Sequence, residues 1–318
     1  MKAIIAEKPS VAREIARIVG ADQAHPGYLE GNGYLVTWAL GHLIGLAMPE
    51  EYGYGSFQKE NLPILPEEFI LTPRQLKTGK SYEFDKGAIK QLNVIESVFN
   101  RCNHIIVATD AGREGELIFR YIYNYLGCKK QFSRLWISSL TDTAIKEGLI
   151  SLKEGCHYDK LYQAAKARSE SDWLVGINAT QGVTVNAGRG LYSLGRVQTP
   201  TLAMVCKRYL ENKNFVSTPY RTVEAELEKD GLKVKVPVFG QFEDEANAKR
   251  VFQQIKDSGK LCVTGVEIKQ REEKPPLLFD LTTLQREANS KWGLSAAKTL
   301  DIAQKLYESK LEIGRAHV

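Results

Sequence analysis

The sequence predicts an α/β protein built on a mostly parallel sheet, followed by a helical region and a partial β-rich segment. Three observations carry this. Short apolar runs bounded by turn residues read as strands covered on both faces. Amphipathic stretches with helical spacing alternate with those runs over the first ~150 residues, as in a sheet with helices on both sides. Beyond that point the alternation stops and a long helical stretch begins.

The elements can be taken in chain order. "KAIIAE" reads as a buried strand, and "SVAREIARIVG" as a helix with Ser10 as N-cap and Gly20 closing it. "GYLVTWAL" is a second strand. Residues 50–80 look loop-like, with Pro63, Pro66 and Pro73 as breakers. "GAIKQLNVIESVFNRC" sets Ile89, Leu92, Ile95 and Val98 on one helical stripe. Then come the strand "HIIVAT", a charged turn, the helix "ELIFRYIYNYLG", the strand "FSRLWISS" and the helix "TDTAIKEGLISL". Residues 158–185 read as one long helix. A Gly-rich joint, "NAGRGLYSLGR", separates it from the helix "TPTLAMVCKRYLEN". "YRTVEAELE", "LKVKVPVFG" and "LCVTGVEIK" read as strands, interrupted by the helix "DEANAKRVFQQIK"; a Pro-marked joint then leads into two last helices.

Bulk composition narrows the class. The chain has 318 residues, 43% hydrophobic and 25% charged, which disfavours a disordered or fibrous protein. A net charge of +5 hints only weakly at a polyanionic partner. Five scattered cysteines without a Cys-x-x-Cys pair suit reduced thiols better than a disulfide frame or a zinc site. The N-terminus has too short an apolar run, and acid too soon, for a signal peptide. No run approaches the ~18 apolar residues of a membrane span. A soluble, cytoplasmic protein without membrane contact is expected.

The charged turn is the most informative stretch. "HIIVAT" ends in Asp110, with Arg113, Glu114 and Glu116 close behind, and "KAIIA" ends in Glu7 and Lys8. In an open parallel sheet, ligands bind at the carboxyl ends of strands. Carboxylate oxygens suit magnesium, which keeps several waters and takes one or two protein carboxylates. A phosphodiester is a plausible substrate beside such a cation. A single acid there would be better read as a solvated helix start favoured by the helix dipole. Two acidic strand ends favour a site. Arg113 is read as the internal counter-charge that keeps these anions ionised, not as a surface charge.

"AEKPS" and "ATDAGREGELI" at two strand ends resemble the Toprim fold of the type IA DNA topoisomerases, and within that family the bacterial topoisomerase III branch. Primases, type II topoisomerases and recombination mediators share the acidic ends but not the segments downstream of them. "ARSESDWLVGINAT", "SLGRVQTPTL" and "PPLLFDLTTLQREANSKWGLSAAKTLDIAQKLYE" resemble further type IA segments in the family's order, over nearly the whole chain.

The resemblance implies roles. Glu7 would protonate the leaving 3′ oxygen and later take the proton back, and Lys8 would stabilise phosphate charge. Glu7, Asp110 and Glu114 would hold Mg2+. Gly112 stands where the family often has a second aspartate, which implies weaker magnesium binding. Arg168 would sit near the scissile phosphate, and its spacing lets it pair with Asp172. Ser193, Leu194, Gly195, Arg196, Val197, Gln198 and Thr199 match the family's strand-holding segment. No acidic residue lies between Asp172 and Glu211, while Arg189, Arg196, Lys207, Arg208 and Lys213 fall inside it or at its edge. Ser193, Arg196, Gln198 and Thr199 are donors suited to phosphates and sugars. Singly they read as surface loop; together they resemble a groove for single-stranded or underwound duplex DNA. Gln181 replaces an arginine the family often has after "NAT", and His42 lies in a "GHL" the family carries near its site. Trp38, Trp136, Trp173 and Trp292 are assigned mostly to core, with base stacking on one of them left open.

The implied organisation is a Toprim domain over 1–152, a helical single-strand DNA-binding domain over 153–216, a β-rich arch segment over 217–276 and the first helices of a tyrosine-bearing domain over 277–312. The family cuts DNA with a tyrosine, leaving a 5′-phosphotyrosyl link. That tyrosine's segment is expected after "IAQKLYE". Here the chain reads "LYESKLEIGRAHV", and the neighbours of Tyr307 do not match the nucleophile's. Residues 313–318 can be written ATC GGA AGA GCA CAC GTC, which resembles a sequencing adapter read in frame; they are expected to be a non-native tail on a truncated gene. The leading expectation is a monomeric topoisomerase polypeptide that binds magnesium and DNA without cleaving as it stands. The alternatives are a non-catalytic DNA-binding fragment and a Toprim nuclease or primase-like enzyme that hydrolyses with metal alone.

Overall fold

The computed structural model describes residues 1–78, 81–238 and 240–309; the tail expected at 313–318 lies outside them. The elements in chain order are β1 (Lys2–Ala6), α1 (Pro9–Val19), β2 (Gln23–His25), β3 (Tyr28–Gly31), β4 (Tyr34–Trp38), β5 (Ile44–Leu46), β6 (Leu71–Pro73), β7 (Gln75–Thr78), β8 (Ser81–Phe84), α2 (Lys86–Arg101) and β9 (His104–Ala108). After these come α3 (Arg113–Tyr125), β10 (Phe132–Arg134), α4 (Asp142–Ile150), β11 (Lys153–Glu154), α5 (Asp159–Ala187), α6 (Gln198–Lys213), β12 (Glu224–Lys229), β13 (Leu232–Pro237), α7 (Glu245–Ser258), α8 (Leu281–Trp292) and α9 (Ala296–Glu308).

The expected parallel sheet is present. Seven strands run in the order β11-β10-β9-β1-β4-β3-β2. The centre is parallel: β1 pairs with β4 and with β9, and β9 with β10. Alternation along each strand feeds two cores. Ala3, Ile5, Leu35, Ile105 and Val107 pack under α2 and α3. Ile4, Ala6, Val36, Ile106 and Ala108 pack under α1 and α4 on the other face. Each central strand is therefore apolar on both sides, as a doubly covered sheet requires.

Four expectations need correction. The cap of α1 is Lys8, in extended backbone and without a side-chain bond, because Pro9 takes the first helical position that Ser10 was expected to precede. The strand in "FSRLWISS" spans only Phe132–Arg134. The stretch 50–80 is not all loop: β6 pairs with β5, and β7 with β8. "LCVTGVEIK" forms no strand; among the described residues no ladder includes it, and Val263, Val266 and Ile268 stay exposed. A strand exists only through a hydrogen-bonded neighbour.

Two compact units result. One holds Met1–Thr199 and the described residues from Leu278 on; the other is Pro200–Leu277. In the first, α5 packs along α3. Trp173 Nε1 donates to the Ala47 carbonyl at 2.8 Å, and Asn178 bonds the Ile64 backbone both ways. The second contains the antiparallel hairpin β12–β13, closed by Asp230 and Gly231 in left-handed backbone, with α7 after it. Among the described residues, no helix is long and apolar enough to cross a membrane.

Asp85 ties α2 to the segment before it. Its carboxylate accepts from the Gly87 and Ala88 N–H groups and from Arg74 Nε and Nη2 at 3.0 and 2.6 Å. The Arg74 hydrogen bond, then the helix N–H groups, hold its pKa below the ordinary 3.8. Its stabilisation is therefore fully present above that ordinary value and is lost as pH falls through the depressed one. Asp85→Asn keeps a capping oxygen but loses the charge. Denaturant titrations across the acid range should show a smaller fall in stability for the variant than for the wild type.

Candidate active site

The crevice where catalysis is expected arises from strand order. The connection from β1 leads through α1 to β4 on one side, and the connection from β9 leads through α3 to β10 on the other. The order thus reverses between β1 and β9, and such a switch point opens a crevice at the carboxyl ends. Register fixes what stands there. Ala6 pairs with Ala108, so Glu7 and the Thr109–Asp110 segment leave the sheet side by side. Glu7 Oε2 accepts a hydrogen bond from the Asp110 backbone N–H at 3.2 Å. Both residues are half-buried.

The turn after β9 is built to hold Asp110. The Thr109 hydroxyl donates to the Gly115 carbonyl at 2.7 Å. A Cβ on Gly115 would lie 2.1 Å from the Asp110 carbonyl oxygen, so the first turn of α3 rests directly on the Asp110 backbone. Gly112 is different: its backbone is extended, and a Cβ there would meet nothing within 4 Å.

The counter-charge is not Arg113, which is exposed. It is Arg134 on β10, fully buried. Nη1 donates to Thr109 Oγ1 at 2.6 Å and Nη2 to the Asp110 carbonyl at 2.7 Å. Nε lies 3.2 Å from Glu116 Oε2, an ion pair without an aligned hydrogen bond. Burial pulls the Arg134 pKa below its usual value, opposed first by Glu116 and then by Tyr158, Glu7 and Asp110. Glu116, also fully buried, accepts from Arg120 Nε at 2.8 Å. An arginine inside the apolar run "FSRLWI" was the available signal, since a charge in a buried strand must have a partner.

Glu114 is exposed and turns away toward His42, whose Nε2 lies 3.6 Å from its Oε2. These two line a groove with Arg74, Arg168, Asp172 and Arg196. Asp172 pairs not with Arg168, as its spacing allowed, but with Arg196 at 2.7 and 3.3 Å. That hydrogen bond is the largest cause holding the Asp172 pKa below its usual value, and the Arg168 charge adds to it. The loop 193–199 bonds partly within itself and partly to α5. Gln198 donates to Ser193, the Leu194 N–H donates to Thr180, and the Gly195 N–H donates to Thr199. Val197 is exposed. Gln181 is buried, which removes it from the groove. Lys8 is half-buried beside Glu7. Tyr307 of α9 lines a small cavity with Thr109, Asp110, Ser138 and Ser139. Of the tryptophans, Trp173 is core, but Trp136 and Trp292 are exposed.

Glu7 and Asp110 therefore come together, and Glu114 joins the groove instead. Among the described residues, no three His, Cys, Asp or Glu side chains cluster tightly enough to enclose a metal. Two hard carboxylates fit a cation that keeps its waters and shares a ligand with its substrate. They do not fit a closed protein cage.

The Toprim domain family matches residues 2–140, and a family described as DNA topoisomerase matches residues 157–312. The chain is 45% identical over 315 residues to the DNA topoisomerase 3 of Shouchella clausii, covering 96% of this chain and 41% of that protein. It is 44% identical over 317 residues to the DNA topoisomerase 3 of Bacillus subtilis, with the same coverage. The chain thus spans about two fifths of the length of these relatives. It also resembles full-length topoisomerase I from Thermotoga maritima, with a TM-score of 0.60 and 28% identity, covering 96% of this chain and 46% of that one.

The two glycines of the turn should respond oppositely. Gly115→Ala drives a methyl into the Asp110 backbone and should cost about 3 kcal/mol, the upper end of overpacking penalties. Gly112→Ala should change stability by less than about 1 kcal/mol, since the space is open and the backbone ordinary. Thermal and chemical denaturation of both variants checks this.

Proposed function

Because the chain belongs to the type IA DNA topoisomerases, we propose that it carries the cation-binding and strand-holding machinery of a reaction that cuts and rejoins one DNA strand. The observation that supports this most is the meeting of Glu7 and Asp110 at the switch point, beside a groove lined by arginines.

In this reading Glu7 and Asp110 hold Mg2+, with Glu114 at the groove side. When bound, the cation screens the charge that develops on a phosphodiester. Glu7 gives a proton to the leaving 3′ oxygen and takes it back on rejoining. Lys8, next to it in sequence, stabilises charge on the phosphate. Arg168 and Arg196 face the groove and bind the backbone of single-stranded or underwound DNA, with Asp172 holding the Arg196 fork in place. His42 and Glu114, 3.6 Å apart, line the same groove. In the complete protein the nucleophile is a tyrosine, attack leaves a 5′-phosphotyrosyl link, and strand passage changes linkage.

Calorimetric titration with Mg2+ tests the ligand assignment. Glu7→Gln and Asp110→Asn should each weaken binding by roughly tenfold or more, about 1.4 kcal/mol. Gly112→Asp, which places a third carboxylate in open space, should tighten it; unchanged affinity would count against the assignment. For the groove, Arg168→Ala should weaken binding of a labelled single-stranded oligonucleotide. It should also flatten the salt dependence by about 0.7 in log–log slope, one phosphate contact on a single strand. Metal-dependent cutting without a covalent adduct in the same assay would favour a nuclease instead.

A further inference from the structure

A chain of charged side chains, buried at Arg134 and Glu116 and exposed at Asp159, runs from the Asp110 backbone to the start of α5. Arg134 spends two of its nitrogens on Thr109 and the Asp110 carbonyl, and its Nε faces Glu116. Glu116 is shared with Arg120, whose Nη2 reaches the Gly155 carbonyl at 3.0 Å and Asp159 Oδ1 at 2.6 Å. Asp159 is the first residue of α5, the helix that carries Arg168 and Asp172.

Burying ion pairs is costly, and a well-packed apolar residue is often no less stable in their place. Phe132 and Leu135, near Arg134 in sequence, are such residues and pack in the two cores. Neutralising Glu116 does not need Arg134 either, since Arg120 is already bonded to it. What Arg134 adds is a grip on both of the residues that follow β9, through the Thr109 hydroxyl and the Asp110 carbonyl. A planar guanidinium spreads its donors over three nitrogens in one plane and can span partners set apart from one another; an ammonium gathers its donors on a single nitrogen.

We propose that Arg134 is a positioning residue for the cation site: it fixes the Thr109–Asp110 backbone at the place where the Asp110 N–H meets the Glu7 carboxylate. The inference rests on the reading of Glu7 and Asp110 as ligands. It makes Arg134 the outer support of a metal ligand, acting through the main chain instead of through the carboxylate.

The test uses the full chain and Mn2+ alone, followed by electron paramagnetic resonance and by water-proton relaxation, with melting curves alongside. Arg134→Lys keeps the charge but puts every donor on one nitrogen, which cannot span the three positions that Nη1, Nη2 and Nε reach. Its Mn2+ affinity should fall by about tenfold or more, the range seen when outer-shell partners of a ligand are lost. Relaxation per bound ion should rise as water replaces a loosened carboxylate. Arg120→Lys disturbs the same buried pair from the far side and should stay within about threefold of wild type, well under 1 kcal/mol. Thr109→Val removes one of the two links, together with the hydroxyl's bond to the Gly115 carbonyl, while leaving Arg134 on the Asp110 carbonyl, and should show a smaller loss in the same direction even where Arg134→Lys folds poorly. Wild-type affinity in both Arg134→Lys and Thr109→Val overturns the proposal, as does an equal loss in Arg120→Lys, which would mark a purely structural pair. No binding by the wild-type chain would instead overturn the ligand reading itself, and the inference with it.

Discussion

The parallel pairing of β1 with β9 is the constraint on which everything else depends. With Ala6 opposite Ala108, two acidic segments a hundred residues apart emerge at one edge. A slip of one residue would turn one strand's apolar set toward the wrong core, because side chains alternate with period two. Ile4, Ala6, Ile106 and Ala108 fill one core, and Ala3, Ile5, Ile105 and Val107 the other. The register is thus enforced by burial on both faces. The crevice is a consequence of that burial, not a feature added to it.

Around this frame the molecule places its charges by cost. Fully buried charges are paired: Arg134 and Glu116 lie 3.2 Å apart, and Arg120 closes on the other carboxylate oxygen. Glu7 and Asp110, which the proposed chemistry needs accessible, stay half-buried at the edge. Glu114 and His42, farther out, face the groove. The same turn of α3 thus sends Glu116 inward as a strut and Glu114 outward into the groove.

Much of this was legible in the sequence for physical reasons. Apolar runs that are buried on both faces announce themselves, and so do acids at their ends. β4 stands where "GYLVTWAL" reads as a strand, but its antiparallel neighbours β2 and β3 escape that reading although their signals are present. In "HPGYLEGNGYLV", Pro26 and Gly27 link β2 to β3, while Asn32 and Gly33, both in left-handed backbone, form the two-residue loop between β3 and β4. β2 and β3 are only three and four residues long, too short for periodicity to reveal. Ion-pair partners were the least readable. Spacing offered Arg168 to Asp172 and Arg113 to the acidic turn, yet Arg196 and Arg134 took those places through the fold. "LCVTGVEIK" has the residues of a strand, but pairing, which no single segment encodes, decides whether a strand forms.

The most direct test of the central claim is an anomalous-scattering map from crystals of the chain soaked in Mn2+. The account predicts one strong peak within coordinating distance of both the Glu7 and the Asp110 carboxylates. A peak that touches neither, or an empty crevice at saturating Mn2+, would contradict it.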